Sequence, residues 1–127
     1  MSSFRPAVLF LGLLLIGCCG GDGPLMTHGK PVAYWLQELQ KPDPKLRKKA
    51  VSALGHVGAL DPAVIPALTG AVKDRDATVR SEAILALLNI GPAAKDAIPS
   101  LNEACNDKDA VVRSHAAKAV ERIQGGK

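Results

Sequence analysis

The sequence predicts an all-α fold, an α-solenoid of three stacked helical hairpins with about six helices. Three observations carry that reading. First, an arginine returns every 33 residues, as Arg47, Arg80 and Arg113. It sits in one recurring frame: Asp43-Pro-Lys-Leu-Arg47-Lys-Lys-Ala50, Asp76-Ala-Thr-Val-Arg80-Ser-Glu-Ala83 and Asp109-Ala-Val-Val-Arg113-Ser-His-Ala116. Second, Ile65-Pro66-Ala-Leu68 and Ile98-Pro99-Ser-Leu101 repeat at the same interval of 33. Third, Tyr34 and Trp35 are the sole aromatics after Phe10, so the core is built from Ala, Leu, Val and Ile, which suits close helix packing. Units of this length bury their apolar faces by stacking on each other, and such stacks present a surface rather than enclose a pocket.

The N-terminal residues 1–17 read as a secretory signal. Arg5 gives a basic start, Ala7 to Ile16 are apolar apart from Gly12, and small residues follow. The apolar run is shorter than the roughly 20 residues needed to cross a bilayer. Leu15-Ile16-Gly17-Cys18 resembles the lipobox of bacterial lipoproteins. The resemblance implies a diacylglyceryl group on the Cys18 thiol, cleavage just before Cys18 and acylation of the new amino group. Two or three chains anchor stably where one does so only marginally. The competing reading is an ordinary cleaved signal in which Cys18 and Cys19 are incidental. Residues 18–29 then read as lipidated cysteine and flexible tether, the ten residues Gly20 to Gly29 spanning about 17 Å as a coil. The expected location is the bacterial cell envelope, lipid-anchored outside the cytoplasm.

Residues 30–127 form the repeat domain, with units at about 31–58, 61–91 and 93–125. In unit one, helix A covers Lys30 to Gln40, with Trp35 at the leucine position of the later units and serving as end cap. Helix B opens at Asp43 before Pro44, an N-cap followed by proline in the first turn. In unit two, Pro66 stands in the first turn of helix A, where its missing N–H costs nothing. Helix B of unit two runs near Ala77 to Ile90 behind Asp76, with Val79, Ala83, Ala86, Leu87 and Ile90 at helical spacing. Gly58 and Gly91 close the first two B helices. Unit three repeats the plan from Pro99, with Val112, Ala116, Ala119, Val120 and Ile123 inward and Gly125 near the end.

Arg-x-x-Ala-x-x-Ala three times in register with a closing Gly, joined in the second and third units by Ile-Pro-x-Leu, a turn Asp and Val before the Arg, resembles the short bacterial form of the HEAT repeat. Ankyrin shares the period, but its Thr-Pro-Leu-His is missing. The resemblance implies a structural ladder in which turn Asp and helix B Arg bond to each other and to neighbouring units. The matching residues are Asp74 with Arg80 and Asp107 with Arg113. Arg47 has Lys41 in the Asp position, with Asp43 as the possible substitute. The resemblance also places the B helices on the inner, concave face, where Leu85 and Leu88 stand out. Their counterparts are Ser52 and Lys118, and Gly55 and Glu121. One reading makes them an apolar anchor for a protein partner; the other makes them extra apolar surface on a central helix buried from both sides.

Nothing in the chain assembles chemistry. His28, His56 and His115 are scattered, with no metal-ligand spacing. Ser114 and His115 diverge by about 100° on their helix. Cys105 aligns with the core positions Leu39 and Val72, so it reads as a small buried hydrophobe, and no disulfide framework exists. No cofactor and no metal is expected. Lys45, Lys48 and Lys49, with Lys41 and Arg47, make unit one basic: either a contact for anionic headgroups or an acidic partner, or a solvated face. Once Arg5 is removed the chain has 15 basic against 12 acidic residues, a modest excess without stacking aromatics, which argues against nucleic acid. The expectation is a non-enzymatic, membrane-anchored interaction or scaffold module that binds a protein partner. The alternative is a non-catalytic or regulatory subunit of an enzyme resembling the bilin-lyase HEAT-like proteins.

Overall fold

The computed structural model describes residues 23–126. Cys18, the expected lipid site, lies outside the described residues. Six α-helices follow one another in three antiparallel pairs: α1 Val32–Glu38 with α2 Pro44–Val57, α3 Val64–Ala71 with α4 Ala77–Ile90, and α5 Ile98–Ala104 with α6 Ala110–Gly125. This is the α-solenoid that the period predicts. Short 3-10 segments, Gly58–Leu60 and Gly91–Ala97, carry the chain from one pair to the next. Among the described residues no helix is long and apolar enough to cross a membrane.

Each long helix starts as its sequence dictates. Asp43, Asp76 and Asp109 are N-caps whose carboxylates accept from Lys45 N at 2.9 Å, Thr78 N at 2.8 Å and Val111 N at 2.8 Å. Gly58 and Gly91 end α2 and α4 with φ of 59° and 76°, a region costly for any residue with a Cβ. At the end of α6 the left-handed cap is Gly126 rather than Gly125, which is still helical.

The core runs along the long helices, α2 packing on α4 and α4 on α6. Ala50, Val51 and Leu54, then Ala83, Ile84 and Leu87, then Ala116, Ala119 and Ile123 are wholly buried. Small residues let the helices approach. A Cβ added at Gly55 would sit 3.0 Å from the Ala86 Cβ.

Residues 26–29, expected as part of a flexible tether, belong to a hairpin instead. Met26–Thr27 and Lys30–Pro31 pair as antiparallel strands β1 and β2, with Met26 opposite Pro31 and Thr27 opposite Lys30. His28 and Gly29, with φ of 51° and 73°, make the two-residue turn, a geometry in which both central residues need positive φ. This hairpin folds over the first unit. Thr27 Oγ1 donates to the Ala53 carbonyl at 3.3 Å, and Trp35 Nε1 donates to the Thr27 carbonyl at 3.0 Å. Trp35, only 4% exposed, is capped by this hairpin.

Candidate functional site

The arginines are the most constrained polar groups, and their pairing differs from the expectation. Arg47 Nε and Nη2 donate to Asp74 Oδ2 and Oδ1, both at 2.9 Å. Arg80 makes the same fork onto Asp107, at 2.8 and 2.9 Å. Arg47 and Arg80 therefore reach forward to the carboxylate of the next unit's turn aspartate, not to the carboxylate position of their own unit. The expected pairs Asp74 with Arg80 and Asp107 with Arg113 meet only through the aspartate carbonyls, and the carboxylates pair Asp74 with Arg47 and Asp107 with Arg80. Within a unit the arginine meets backbone instead: Arg80 Nη1 donates to the Asp74 carbonyl at 2.9 Å, and Arg47 Nη1 to the Lys41 and Pro42 carbonyls at 2.9 and 2.7 Å. Arg47 thus needs no carboxylate at position 41, and Asp43 does not substitute; it caps α2. No fourth unit stands ahead of Arg113 among the described residues. It is exposed and donates to the Asp107 and Lys108 carbonyls, with no carboxylate partner among the described residues.

The electrostatics follow the geometry. The hydrogen bonds it donates to the Asp74 carboxylate hold the Arg47 guanidinium above its ordinary pKa, against the opposing effect of burial. Burial pushes the Asp107 carboxyl up, but the Arg80 hydrogen bonds, the Asp109 N–H and the charges of Arg80 and Lys108 together outweigh it, and its pKa lies below the usual range. Hydrogen bonds from the Thr78 side chain and from the Thr78 and Val79 N–H groups, aided by the Arg47 charge, lower Asp76 against its burial. The two forks join neighbouring units, and the remaining arginine N–H groups and a second bond to each aspartate brace the turn within a unit.

Leu85 and Leu88 do not form one patch. Leu88 is half-buried and packs against the core. Leu85 is half-buried between two shallow grooves on the long-helix face. One is lined by Lys48, Ala77, Ser81, Glu82, Asp109 and Val111, the other by Ser52, Gly55, His56, Glu82 and Asn89. Val111, 55% exposed, adds apolar surface to the first groove. Lys48 faces this groove. Lys45 and Lys49, also exposed, share a different stripe of α2, and the Lys49 Nζ lies 5.9 Å from the Trp35 ring centre.

Two histidines come together that sequence spacing left apart. His28 and His56 stack edge to face with centroids 5.1 Å apart, and His28 Nε2 lies 3.4 Å from His56 Nδ1. His56 Nδ1 is also 2.8 Å from the Ser52 carbonyl, which fixes it as a donor. A nitrogen committed in that way has no lone pair for a metal, and among the described residues no group of three or more His, Cys, Asp or Glu is placed to hold one. Ser81 Oγ and His115 Nδ1 meet at 2.7 Å across two units. No carboxylate orients that imidazole among the described residues, so the contact reads as an inter-helix hydrogen bond. Cys105 is half-buried against the core. Sequence reasoning missed the hairpin over Trp35 and the His28–His56 contact. The one available signal was His28-Gly29, a dipeptide suited to a positive-φ turn between two short extended runs.

The family description HEAT repeats matches residues 32–124. Among solved structures, the complex of CpcE and CpcF of phycocyanin lyase from Nostoc sp. PCC7120 is similar at 27% identity and a TM-score of 0.66, over 83% of this chain and 40% of that chain. An engineered protein is similar at 25% identity and a TM-score of 0.63, over 75% of this chain and 46% of that one. A second engineered protein, 23% identical with a TM-score of 0.58, shares the fold over 72% of this chain and 46% of its own. The chain spans less than half the length of these structures. No curated protein matches.

Proposed function

We propose, because the chain belongs to the HEAT-repeat family, that it is a non-catalytic protein-interaction or scaffold module, held at the bacterial cell envelope outside the cytoplasm by lipid on Cys18. The observation that carries the non-catalytic reading is the commitment of the buried polar groups. Arg47, Arg80, Asp74 and Asp107 are paired across the unit joints, and two shallow grooves flank Leu85 on the long-helix face. Such a surface suits a helix or extended segment of a protein partner, with a half-buried leucine as anchor and a polar rim. The run Leu15-Ile16-Gly17-Cys18 supports the lipid anchor. Crosslinking the native protein in its own membrane, with Leu85→Asp beside it, tests the module. Specific capture that the variant loses supports it, and equal capture by both moves the contact elsewhere.

A second reading has one observation in its favour, the likeness to the phycocyanin lyase complex at 27% identity. In that reading the chain is a non-catalytic or regulatory subunit of an enzyme. An enzymatic activity in the captured complex that depends on this chain would favour it over a scaffold.

A further inference from the structure

The charge of this protein is not spread evenly. Between Gly23 and Val57 there are six basic side chains, Lys30, Lys41, Lys45, Arg47, Lys48 and Lys49, against Glu38 and Asp43. Between Gly58 and Gly126 there are eight basic and nine acidic. The cationic excess therefore belongs to the first unit, the end that joins the N-terminal segment.

The same end carries exposed apolar side chains that no neighbouring unit covers. Leu25 and Met26 are 41% and 59% exposed, and Tyr34 is 37% exposed. They come from the hairpin and the helix after it. Tyr34 packs edge-on to Trp35 at 5.0 Å, with the Lys30 Nζ 5.3 Å from its ring centre. Lys49 lies on the other ring, and Lys45 is one turn before Lys49 on the same stripe of α2. Apolar tips, a tyrosine and a ring of lysines on one end are the composition that binds the interface of an anionic bilayer.

We propose that this end of the solenoid, through Leu25, Met26, Lys30, Tyr34, Lys45 and Lys49, docks on an anionic lipid surface and stands the stack upright on it. The inference rests on the membrane-anchored reading and adds an orientation to it. Cys18 is five residues before Gly23, so a lipid there holds the first unit within about 18 Å of the surface even with the chain fully extended. Held so close, lysines need cross only one or two Debye lengths of roughly 8 Å to feel the surface charge. Each lysine at such a surface raises partitioning roughly five-fold. Units two and three, nearly neutral, feel little pull and project away with the Leu85 groove accessible from the side.

The test is lysine acetylation read by mass spectrometry on the purified full-length protein, mixed with phosphatidylcholine vesicles with or without phosphatidylglycerol. Intact mass in the same experiment reports whether Cys18 carries lipid, so failure of the anchor and failure of the docking are separate results. Expected is several-fold protection of Lys30, Lys45 and Lys49 on anionic vesicles alone, with Lys73, Lys95 and Lys118 labelled equally on both. Lys45→Glu with Lys49→Glu, both exposed positions, should abolish the protection at Lys30 while helicity stays wild type. Equal labelling of the three lysines on both vesicles overturns the proposal. So does protection by soluble polyglutamate without any by anionic vesicles, which would assign the face to an acidic protein.

Discussion

Replacing Arg80 by alanine removes three bonds at once. Two go to Asp107 at 2.8 and 2.9 Å and one to the Asp74 carbonyl at 2.9 Å. The Asp107 carboxylate, 13% exposed, keeps only the Asp109 N–H. Leaving one partner of a fully buried pair alone costs about 3–5 kcal/mol. Asp107 retains a donor and an edge of water, so about 2–3 kcal/mol is expected for Arg80→Ala. For a domain near 100 residues that is a fall in Tm of roughly 10–20 °C. Arg47 makes the same fork on Asp74 with two further carbonyl bonds, so Arg47→Ala should lower Tm to a similar degree. Arg113 is exposed and bonds only carbonyls of its own unit, so Arg113→Ala should stay within about 0.5 kcal/mol of wild type, as surface changes do. Thermal melts followed by circular dichroism order the three. A forward-reaching ladder requires Arg47 to behave like Arg80; Arg47→Ala melting beside Arg113→Ala would refute it.

Acid should weaken the Arg80–Asp107 joint. The Asp107 pKa lies below the usual range, so its contribution is complete above the unfolded value of about 3.9 and is lost as pH falls through the lower folded value. Tm should be flat from neutral pH to about 5 and fall below it, with a smaller fall in Arg80→Ala, read by melts across that range. Trp35→Ala empties a site 4% exposed and unties the Thr27 carbonyl; a loss of about 3–5 kcal/mol and faster hydrogen exchange at residues 26–31 are expected. Gly55→Leu forces a side chain against Ala86, whose Cβ is already 3.0 Å from where a new Cβ would stand; about 1–3 kcal/mol of destabilisation should appear in chemical unfolding. Leu85→Asp should keep the wild-type melt and lose partner capture, whereas Leu88→Asp, against the core, should lower Tm.

The repeat period made the architecture legible because stacking imposes the same buried positions on every unit. Val79, Ala83, Ala86 and Leu87 were readable from spacing, and all are buried. Ile84, also wholly buried, was not, since its place on the helix lies off the inward stripe that the spacing marks. The direction of the ladder was hidden as well. Asp74 precedes Arg80 by six residues and follows Arg47 by 27. Proximity in sequence favoured the former, yet the Asp74 carbonyl occupies Arg80 and leaves the carboxylate to Arg47. The N-terminal hairpin was masked by its glycines, which read as tether until Thr27 and Trp35 are seen to share a hydrogen bond. Of the candidate surface, the basic unit was legible from composition; that Leu85 and Leu88 part company, one to a groove and one to the core, was not.

Among the described residues the first and last units differ from the middle one at the positions that join units. At each internal junction a buried aliphatic and a forward-reaching arginine meet the next unit, Val51 with Arg47 and Ile84 with Arg80, all nearly inaccessible to water. At the last unit those positions are Ala117 and Arg113, both exposed, and Glu121 stands where Leu88 stands in unit two. A further repeat would find a small residue and a carboxylate where it needs apolar contact. At the first unit the hairpin covers Trp35, and Lys41 occupies the position that Asp74 and Asp107 hold later. A second copy stacked end to end would therefore set Arg113 against Lys41, cation on cation, where every internal joint sets arginine against carboxylate. Such like-charge contacts reject a partner more effectively than missing attraction does. Charge thus opposes an end-to-end second copy at that joint, which leaves the grooves around Leu85, on the side of the stack, as the surface for the proposed protein partner.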